Sequence, residues 1–192
     1  MSEKSPQIIL INGASSSGKS TLCKALQEHL AEPYIHLEED RFVYGTYHPR
    51  YLVPGVVEGI FAKTMTGYYR SLRAFVSAGH NVLADTGFYS EDLVRQCAAE
   101  LAGLPVWAVG VRCSLAELER RETQRADRNV GTAREQFESI HAHAMYNIEV
   151  DTSQMDSDEC AKRIKAVVES QAAPSALRSL SLTIKSPRSS QA

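Results

Sequence analysis

An eight-residue run near the N-terminus has the residue types and the spacing that hold phosphate groups. Gly13, Gly18, Lys19 and Ser20 stand at the fixed positions of the pattern GxxxxGK(S/T). Glycines let the backbone curl until successive N–H groups face an anion, and Lys19 can reach the β- and γ-phosphates. The Ser20 hydroxyl can ligate Mg²⁺. The run and the residue after it therefore predict a nucleoside-triphosphate site formed by Gly13, Ala14, Ser15, Ser16, Ser17, Gly18, Lys19, Ser20 and Thr21.

Two aspartates follow predicted strands, at the edge where a parallel sheet binds its ligands. Asp40 comes just after the second strand and Asp85 closes the third. Phosphoryl transfer to an alcohol needs a carboxylate that orients the hydroxyl and accepts its proton, and another near the metal. We assign Asp40 to the first role, and Asp85 to the metal or to holding the substrate. The alternatives are a solvated acidic turn beside Glu38 and Glu39 for Asp40, and a helix or turn cap for Asp85.

Arg121, Arg125 and Arg128 have the spacing i, i+4, i+7, which places them on one face of a helix. Three guanidinium groups on one face repel each other unless an anion lies between them. An arginine lid that closes over a triphosphate and stabilises the transferred group meets this requirement, with Gly131 as its hinge. The alternative is an ion-paired surface, because Glu117 stands four residues before Arg121.

The elements that must position these residues alternate along the chain. Short apolar runs predict strands at 7–12, 34–37, 81–84, 105–111 and 148–150. Helical periods and capping residues predict helices from the glycine loop to about residue 31 and at 56–78, 91–101, 114–126, 132–145 and 156–170. Because strands and helices alternate, we predict an α/β fold with a doubly wound parallel sheet.

Composition limits the classes of protein that the chain can belong to. It has 192 residues, 43 % of them hydrophobic, and a formal net charge of −2. These values favour one domain and argue against a partner that is nucleic acid or a membrane surface. The four separated cysteines and the lack of a signal-peptide pattern favour a reduced, cytoplasmic protein. We predict a domain at 1–170 and a basic, serine-rich, largely disordered tail at 171–192, in which the segment from Leu177 could dock.

Together these residues resemble the chloramphenicol phosphotransferase family of P-loop kinases, from residue 8 to about 168. The resemblance rests on the loop at 13–20, the strand at 109–113 and the arginine run at 121–128 with Gly131 after it. Further residues fall at the family's intervals: Gln136, His141, Tyr146 and 149–152. The resemblance implies a shikimate-kinase-like fold with a five-stranded parallel sheet, ATP as the donor, Mg²⁺, and an alcohol group of a small molecule as the acceptor.

The resemblance also implies roles for single residues. Asp40 matches the base, Lys19 and Ser20 match the phosphate and metal contacts, and Arg125 and Arg128 match the lid. Arg121 joins the ATP-binding residues, and the segment that begins at Asp151 would lie near the adenine.

The sequence departs from the family's pattern in two places. Asp85 is followed by Thr86 where the resemblance implies an acidic pair, and residues 41–55, where the acceptor would bind, show no family pattern. Residues 41–55 are rich in aromatic rings and cations. We therefore predict that Arg41 and Tyr44 contact the substrate together with Asp40 and Asp85. The alternative is a loop that packs its rings on the helix that begins near Val56.

The predicted activity is transfer of the γ-phosphoryl group of ATP to a hydroxyl of a small molecule. The resemblance carries over the class of reaction and not chloramphenicol as the acceptor. A nucleotide or nucleoside kinase remains an alternative, because Arg41, Arg50, Arg70 and Arg73 could clamp a phosphate. A regulatory P-loop ATPase is a second alternative, although the chain lacks an NKxD guanine-specificity motif.

Overall fold

The chain folds around one parallel β-sheet. A computed structural model describes residues 5–46, 53, 56–124, 131–170 and 173–177. The strands are β1 (Ile8–Asn12), β2 (Tyr34–Glu38), β3 (Asn81–Thr86), β4 (Val106–Arg112) and β5 (Ile148–Asp151). They lie in the order β2-β3-β1-β4-β5, and every neighbouring pair is parallel. The five-stranded, doubly wound α/β fold is therefore confirmed.

Helices cover both faces of the sheet. In the described part of the chain they are α1 (Lys19–His29), α2 (Glu39–Thr46), α3 (Val56–Ser77), α4 (Glu91–Glu100), α5 (Leu115–Thr123), α6 (Thr132–Phe137) and α7 (Ser157–Val168). None of these described helices is both long enough and apolar enough to cross a membrane.

The core lies in two layers because side chains alternate along each central strand. In β1, Ile8 and Leu10 pack with α3 and α4, while Ile9 and Ile11 pack with α1 and α7. All five residues of β1 are buried, so the strand reads as a continuous apolar run. Each such aliphatic side chain contributes about 1.5–3 kcal/mol when buried, which fixes the end of β1 and the loop that follows it.

Two predicted helix ends are wrong, and one helix was not predicted. Asp40 lies in the first turn of α2, the helix that was not predicted, where carboxylates suit the positive end of the helix dipole. The helix predicted at 114–126 ends at Thr123. The helix predicted at 132–145 ends at Phe137, and turns follow to residue 143. In those turns the Asn12 amide donates to the Ile140 carbonyl, a long-range contact that local periodicity does not contain.

Part of the predicted tail packs on the core. Ala176 and Leu177 are buried, and Leu177 belongs to the layer formed by α3 and α4. The folded chain therefore continues past the boundary predicted at residue 170, as far as Leu177 at least. The rest of the tail, 171–172 and 178–192, lies outside the described residues, and its predicted disorder stays a prediction.

Candidate active site

The glycines of the loop at 13–20 are required by its geometry. Gly18 has φ 91°, in the left-handed region that favours glycine, and α1 begins at the next residue. Gly13 lies so close to β4 that an added Cβ would stand 2.7 Å from the Val111 carbonyl oxygen. The loop is therefore pressed against the sheet at one end and turned into a helix at the other, as a phosphate-binding loop must be.

Polar groups of this loop are arranged to receive an anion. The hydroxyls of Ser15, Ser16 and Ser17 are buried and have no hydrogen-bond partner among the described residues. Lys19 Nζ donates to the carbonyl oxygens of Gly13 (2.7 Å) and Ala14 (3.1 Å), which holds the ammonium over the loop. Buried hydroxyls without partners are costly, at about 1–3 kcal/mol each, so the cradle fits a phosphate group that would supply the missing partners.

Ser20 and Asp85 lie together beside the loop. The Ser20 hydroxyl donates to Asp85 Oδ2 at 2.8 Å, and Lys19 Nζ stands 3.9 Å from Asp85 Oδ1. Parallel pairing of β1 with β3 sets Ile11 opposite Asp85, which brings the end of β3 next to the loop. A hydroxyl and a carboxylate are oxygen donors of the kind that Mg²⁺ prefers, so these residues fit the predicted metal.

Asp40, in α2, lines a cavity together with Ser20 and Asp85. This narrow cavity is lined by Lys19, Ser20, Asp40 and Asp85, together with other residues of the loop, β2, α2, the β3 exit and α6: Ser15, Glu38, Glu39, Thr86, Gly87, Tyr89 and Gln136. The structure thus brings together the predicted base, the predicted metal contacts and the predicted phosphate contact. Lys19 and Ser20 begin α1, Asp40 lies in α2 and Asp85 lies in β3, so three elements meet at one edge of the parallel sheet.

Glu39 is a buried acid to which the sequence gives no role beyond the alternative of a solvated acidic turn. Its residue is 4 % exposed, and Oε2 accepts hydrogen bonds from Thr86 Oγ1 (2.6 Å) and the Gly87 N–H (2.8 Å). Burial raises the pKa of this carboxyl to about 7, against the lowering effect of the two hydrogen bonds. Glu39 ties the first turn of α2 to the end of β3, and so positions Asp40. An acid within the run Glu38-Glu39-Asp40 carries no signal that singles it out.

Two predicted substrate contacts lie away from this cavity. Arg41 and Tyr44 are exposed, and Arg41 Nε pairs with Glu38 Oε2 at 3.3 Å. Of the described residues, Tyr89 and Gln136 line the cavity instead of these two. Phe42, another aromatic residue of this stretch, packs against Tyr68. Tyr47, His48, Arg50 and Tyr51 lie outside the described residues.

A cleft of about 380 Å³ adjoins the other end of the loop. It is lined by Ser16, Gly18 and Thr21. Further lining residues lie in or next to α5, in the turn after β5 and at the start of α7: Arg121, Gln124, Thr152, Met155, Asp156 and Ser157. Arg121 is held there, because Nε donates to Glu117 Oε1 (2.7 Å) and Nη2 donates to the Thr152 carbonyl (2.8 Å).

Asp151 directly precedes Thr152 at the end of β5, and its predicted contact with ATP stays a prediction. Its carboxylate accepts from the N–H of Ser153 at 2.8 Å, which closes the turn after β5. The neighbouring Thr152, and not Asp151, lines the cleft of about 380 Å³. Thr152 Oγ1 also donates to the Ser17 carbonyl at 2.8 Å, which fixes this turn against the phosphate loop.

Glu122 joins the two ends of the arginine-bearing segment, residues 123–130, which carries Arg125 and Arg128. This residue is 1 % exposed, and its carboxylate accepts from the N–H groups of Gly131 and Ala133, each at 2.8 Å. Gly131 has φ 104°, which suits glycine at the junction with α6. Arg125 and Arg128, the predicted lid arginines, lie outside the described residues. A buried acid inside a charged run was not recognisable from the sequence.

Gln136 and Asn12 connect α6 to the loop and to the sheet. Gln136 Oε1 accepts from the Ser15 N–H at 2.7 Å. Asn12 Nδ2 donates to the Ile140 carbonyl, and Asn12 Oδ1 accepts from the Phe88 N–H, both at 2.8 Å. The end of β1, the exit of β3 and the segment after the arginine run are therefore held in one hydrogen-bonded network.

The chain is similar to known proteins over most of its length. Residues 6–169 match the family described as chloramphenicol phosphotransferase-like protein. A Mycobacterium tuberculosis protein, provisionally named an O-phosphotransferase, is 31 % identical over 180 residues, with 82 % of this chain and 80 % of that protein covered.

Solved structures share the fold at low sequence identity. The Mycobacterium tuberculosis APS kinase in complex with AMPPNP and APS superposes with a TM-score of 0.67 at 16 % identity, covering 86 % of this chain and 98 % of that one. A gluconokinase from Sinorhizobium meliloti superposes with a TM-score of 0.59 at 17 % identity, covering 95 % of this chain and 97 % of that one.

Proposed function

The chain belongs to the chloramphenicol phosphotransferase-like family and has a P-loop kinase fold, and we propose that it transfers the γ-phosphoryl group of ATP to a hydroxyl of a small molecule. One observation carries the proposal. Asp40 lines the same narrow cavity as Lys19, Ser20 and Asp85, so a carboxylate faces the phosphate loop across a space of about 40 Å³, which has room for the hydroxyl group of an acceptor. A protein that only bound a nucleotide would not need a carboxylate there.

The donor nucleotide would lie along the loop. Successive N–H groups of residues 15–20 and the ammonium of Lys19 would hold its phosphates, and the cleft lined by Arg121 and Thr152 would hold its nucleoside part. The charge neutralisation that Mg²⁺ supplies when bound would come at the position flanked by Ser20 and Asp85.

The acceptor hydroxyl would lie between Asp40 and the phosphate loop. The Asp40 carboxylate would orient it and take its proton as the new oxygen–phosphorus bond forms and the bond to the β-phosphate oxygen breaks. ADP then leaves with the electron pair of the broken bond, and Asp40 releases its proton to solvent. Glu39 supports this step by holding α2 against Thr86 and Gly87.

The arginine-bearing segment would close over the reacting groups. Glu122 fixes both of its ends, since α5 precedes it and the Gly131 and Ala133 amides follow it. Arg125 and Arg128 would then stabilise the charge of the transferred group and keep water out. The attraction between opposite charges is stronger in a site that excludes water than at an open surface.

The nucleotide-kinase alternative receives no support from two of its candidate arginines. Arg70 Nε donates to the Glu100 carboxylate at 3.1 Å, and Arg73 Nε donates to the Glu100 carbonyl at 2.7 Å. Glu100 ends α4, which follows β3 and runs back along the sheet, so these contacts lie at the edge away from the phosphate loop.

ATP labelled in its γ-phosphoryl group tests the proposed function. The full chain is incubated with Mg²⁺ and, separately, chloramphenicol, sugars, shikimate-like acids and nucleosides, and the label is followed into products. We expect label in a non-nucleotide alcohol and a loss of about 100-fold or more in Lys19→Ala. Lys24→Ala, on the exposed side of the same helix, serves as the control and should retain the rate. Label only in inorganic phosphate, at a rate that no acceptor raises, would instead identify a regulatory ATPase.

A further inference from the structure

Three potential metal ligands meet beneath the phosphate loop. Cys23 of α1, His36 of β2 and Asp85 of β3 each offer one ligand atom, and these atoms all lie within 4.8 Å of one another. Cys23 is 0 % exposed, Asp85 is 7 % exposed, and the His36 side chain is 11 % exposed. The cluster is therefore shielded from solvent on most sides, and Asp85 connects it to the cavity beside Ser20.

The fold holds these side chains on one face of the sheet. Parallel pairing of β2 with β3 sets His36 opposite Leu83, so Asp85 is the next residue along on the face that Leu83 shares with α1. Cys23 belongs to the same core layer as Leu83 and faces the sheet from α1. Two paired strands and a packed helix thus fix the three ligands, which is the rigid support that a metal site requires.

Packing alone leaves the cluster incomplete. His36 Nε2 is buried and has no hydrogen-bond partner within the described chain. A buried nitrogen without a partner costs about 1–3 kcal/mol, and a bound cation would remove that cost. The ring's Nδ1 lies 3.8 Å from Glu38 Oε1, beyond hydrogen-bond distance, and Glu38 would orient the ring only after a small approach.

Sulfur, imidazole nitrogen and carboxylate oxygen form a donor set that suits zinc better than magnesium. Zinc–ligand bonds of about 2.0–2.3 Å place tetrahedral ligands about 3.5 Å apart, so the three side chains would close in by small rotations. A thiolate and a carboxylate would balance the charge of a divalent cation, while Lys19 stands 3.9 Å from Asp85 on the side of the phosphate loop.

We propose that Cys23, His36 and Asp85 form a site for a zinc-class divalent cation, next to the magnesium position and sharing Asp85 with it. On binding, a metal–sulfur bond forms and the Cys23 thiol loses its proton to solvent, with no change of oxidation state. Three protein ligands leave the fourth position open to water.

Zinc binding would also affect phosphotransfer, an inference that rests on the proposed function. Asp85 accepts the Ser20 hydrogen bond at 2.8 Å, and a cation held by Cys23 and His36 would draw Asp85 away from Ser20. Zinc would therefore inhibit phosphotransfer, and a zinc-selective chelator would restore it while Mg²⁺ stays in place.

Cobalt(II) is the probe for the site, used with the untagged full chain after treatment with a chelator. Thiolate ligation gives a charge-transfer band in the near ultraviolet, and we expect this band to saturate at one equivalent and to be displaced by Zn²⁺. Cys23→Ala should remove the band, and Cys160→Ala, a second buried cysteine outside the cluster, should keep it. His36→Gln should weaken cobalt binding at least about tenfold, because the loss of an outer partner already costs 10–100-fold.

Each outcome decides the proposal. The absence of a cobalt–thiolate band in the folded wild-type chain, or a band that survives in Cys23→Ala, overturns it. If Cys23→Ala does not fold, an unchanged affinity in His36→Gln overturns it equally. The band is recorded without nucleotide or acceptor, so its appearance together with a failure of phosphotransfer would reject the proposed function and retain the metal site.

Discussion

Replacing Glu39 with glutamine should change how the stability of the chain depends on pH. The folded carboxyl has a pKa of about 7 because it is buried, against an ordinary value of 4.5. Between these values the folded chain binds a proton that the unfolded chain has lost. Stability therefore falls as the pH rises through this range, and the contribution is full below pH 4.5 and lost above pH 7.

The size of the effect follows from the two pKa values. At about 1.4 kcal/mol for each pH unit between them, the full contribution is about 3 kcal/mol. About 2.5 kcal/mol of it falls between pH 5 and pH 8. Glutamine at this position cannot ionise, but its carbonyl oxygen can still accept from Thr86 and Gly87. The free energy of unfolding of Glu39→Gln should therefore rise relative to that of the wild type by about 2.5 kcal/mol from pH 5 to pH 8.

Urea unfolding of both chains at pH 5, 6, 7 and 8 measures this difference. Glu28→Gln, an exposed position on α1, is the control and should follow the wild type at every pH. If the Glu39→Gln and wild-type free energies stay parallel across the range, then Glu39 is not a buried, protonated anchor of α2, and the argument for its role fails.

Two further substitutions test contacts that hold the site together. Glu122→Gln leaves one of the two backbone amides at the start of α6 without its acceptor. It should therefore destabilise the chain by about 1–3 kcal/mol in thermal unfolding. An unchanged unfolding midpoint would contradict this role of Glu122. Gly110→Ala should destabilise the chain by a similar amount, because the new Cβ would stand 2.8 Å from the Tyr146 ring. Gly67→Ala is the control: it lies in open space on α3 and should stabilise the helix by about 0.5–1 kcal/mol. Equal effects of these two alanines would refute the close approach at Gly110.

The parts of the site that the sequence predicts are those that depend on local pattern or on strand order. The phosphate loop is a contiguous motif between a strand and a helix, and the structure places it between β1 and α1. Asp40 and Asp85 are predicted to meet because parallel strands end at one edge, and they line one cavity. These predictions need no knowledge of long-range side-chain contacts.

The parts that the sequence does not reveal depend on contacts between distant residues. Glu39 and Glu122 look like surface acids, and only the backbone amides that reach them from β3 and α6 explain their burial. α6 ends at Phe137, and the turns after it are held by a hydrogen bond from Asn12 to a carbonyl 128 positions away in the chain. Arg41 and Tyr44 lie on an exposed face of α2, which composition alone does not reveal, and their contact with the substrate stays a prediction.

The most direct test of the central claim compares Asp40→Asn with Asp92→Asn, an exposed position on α4. The rate of acceptor-dependent phosphotransfer and the affinity for ATP are measured for both variants. Loss of a general base lowers a rate by about 10²–10⁴, so Asp40→Asn should lose at least about 100-fold in transfer while it binds ATP as the wild type does. Asp92→Asn should match the wild type in both. Transfer by Asp40→Asn at the wild-type rate would contradict the assignment of Asp40 as the group that activates the acceptor.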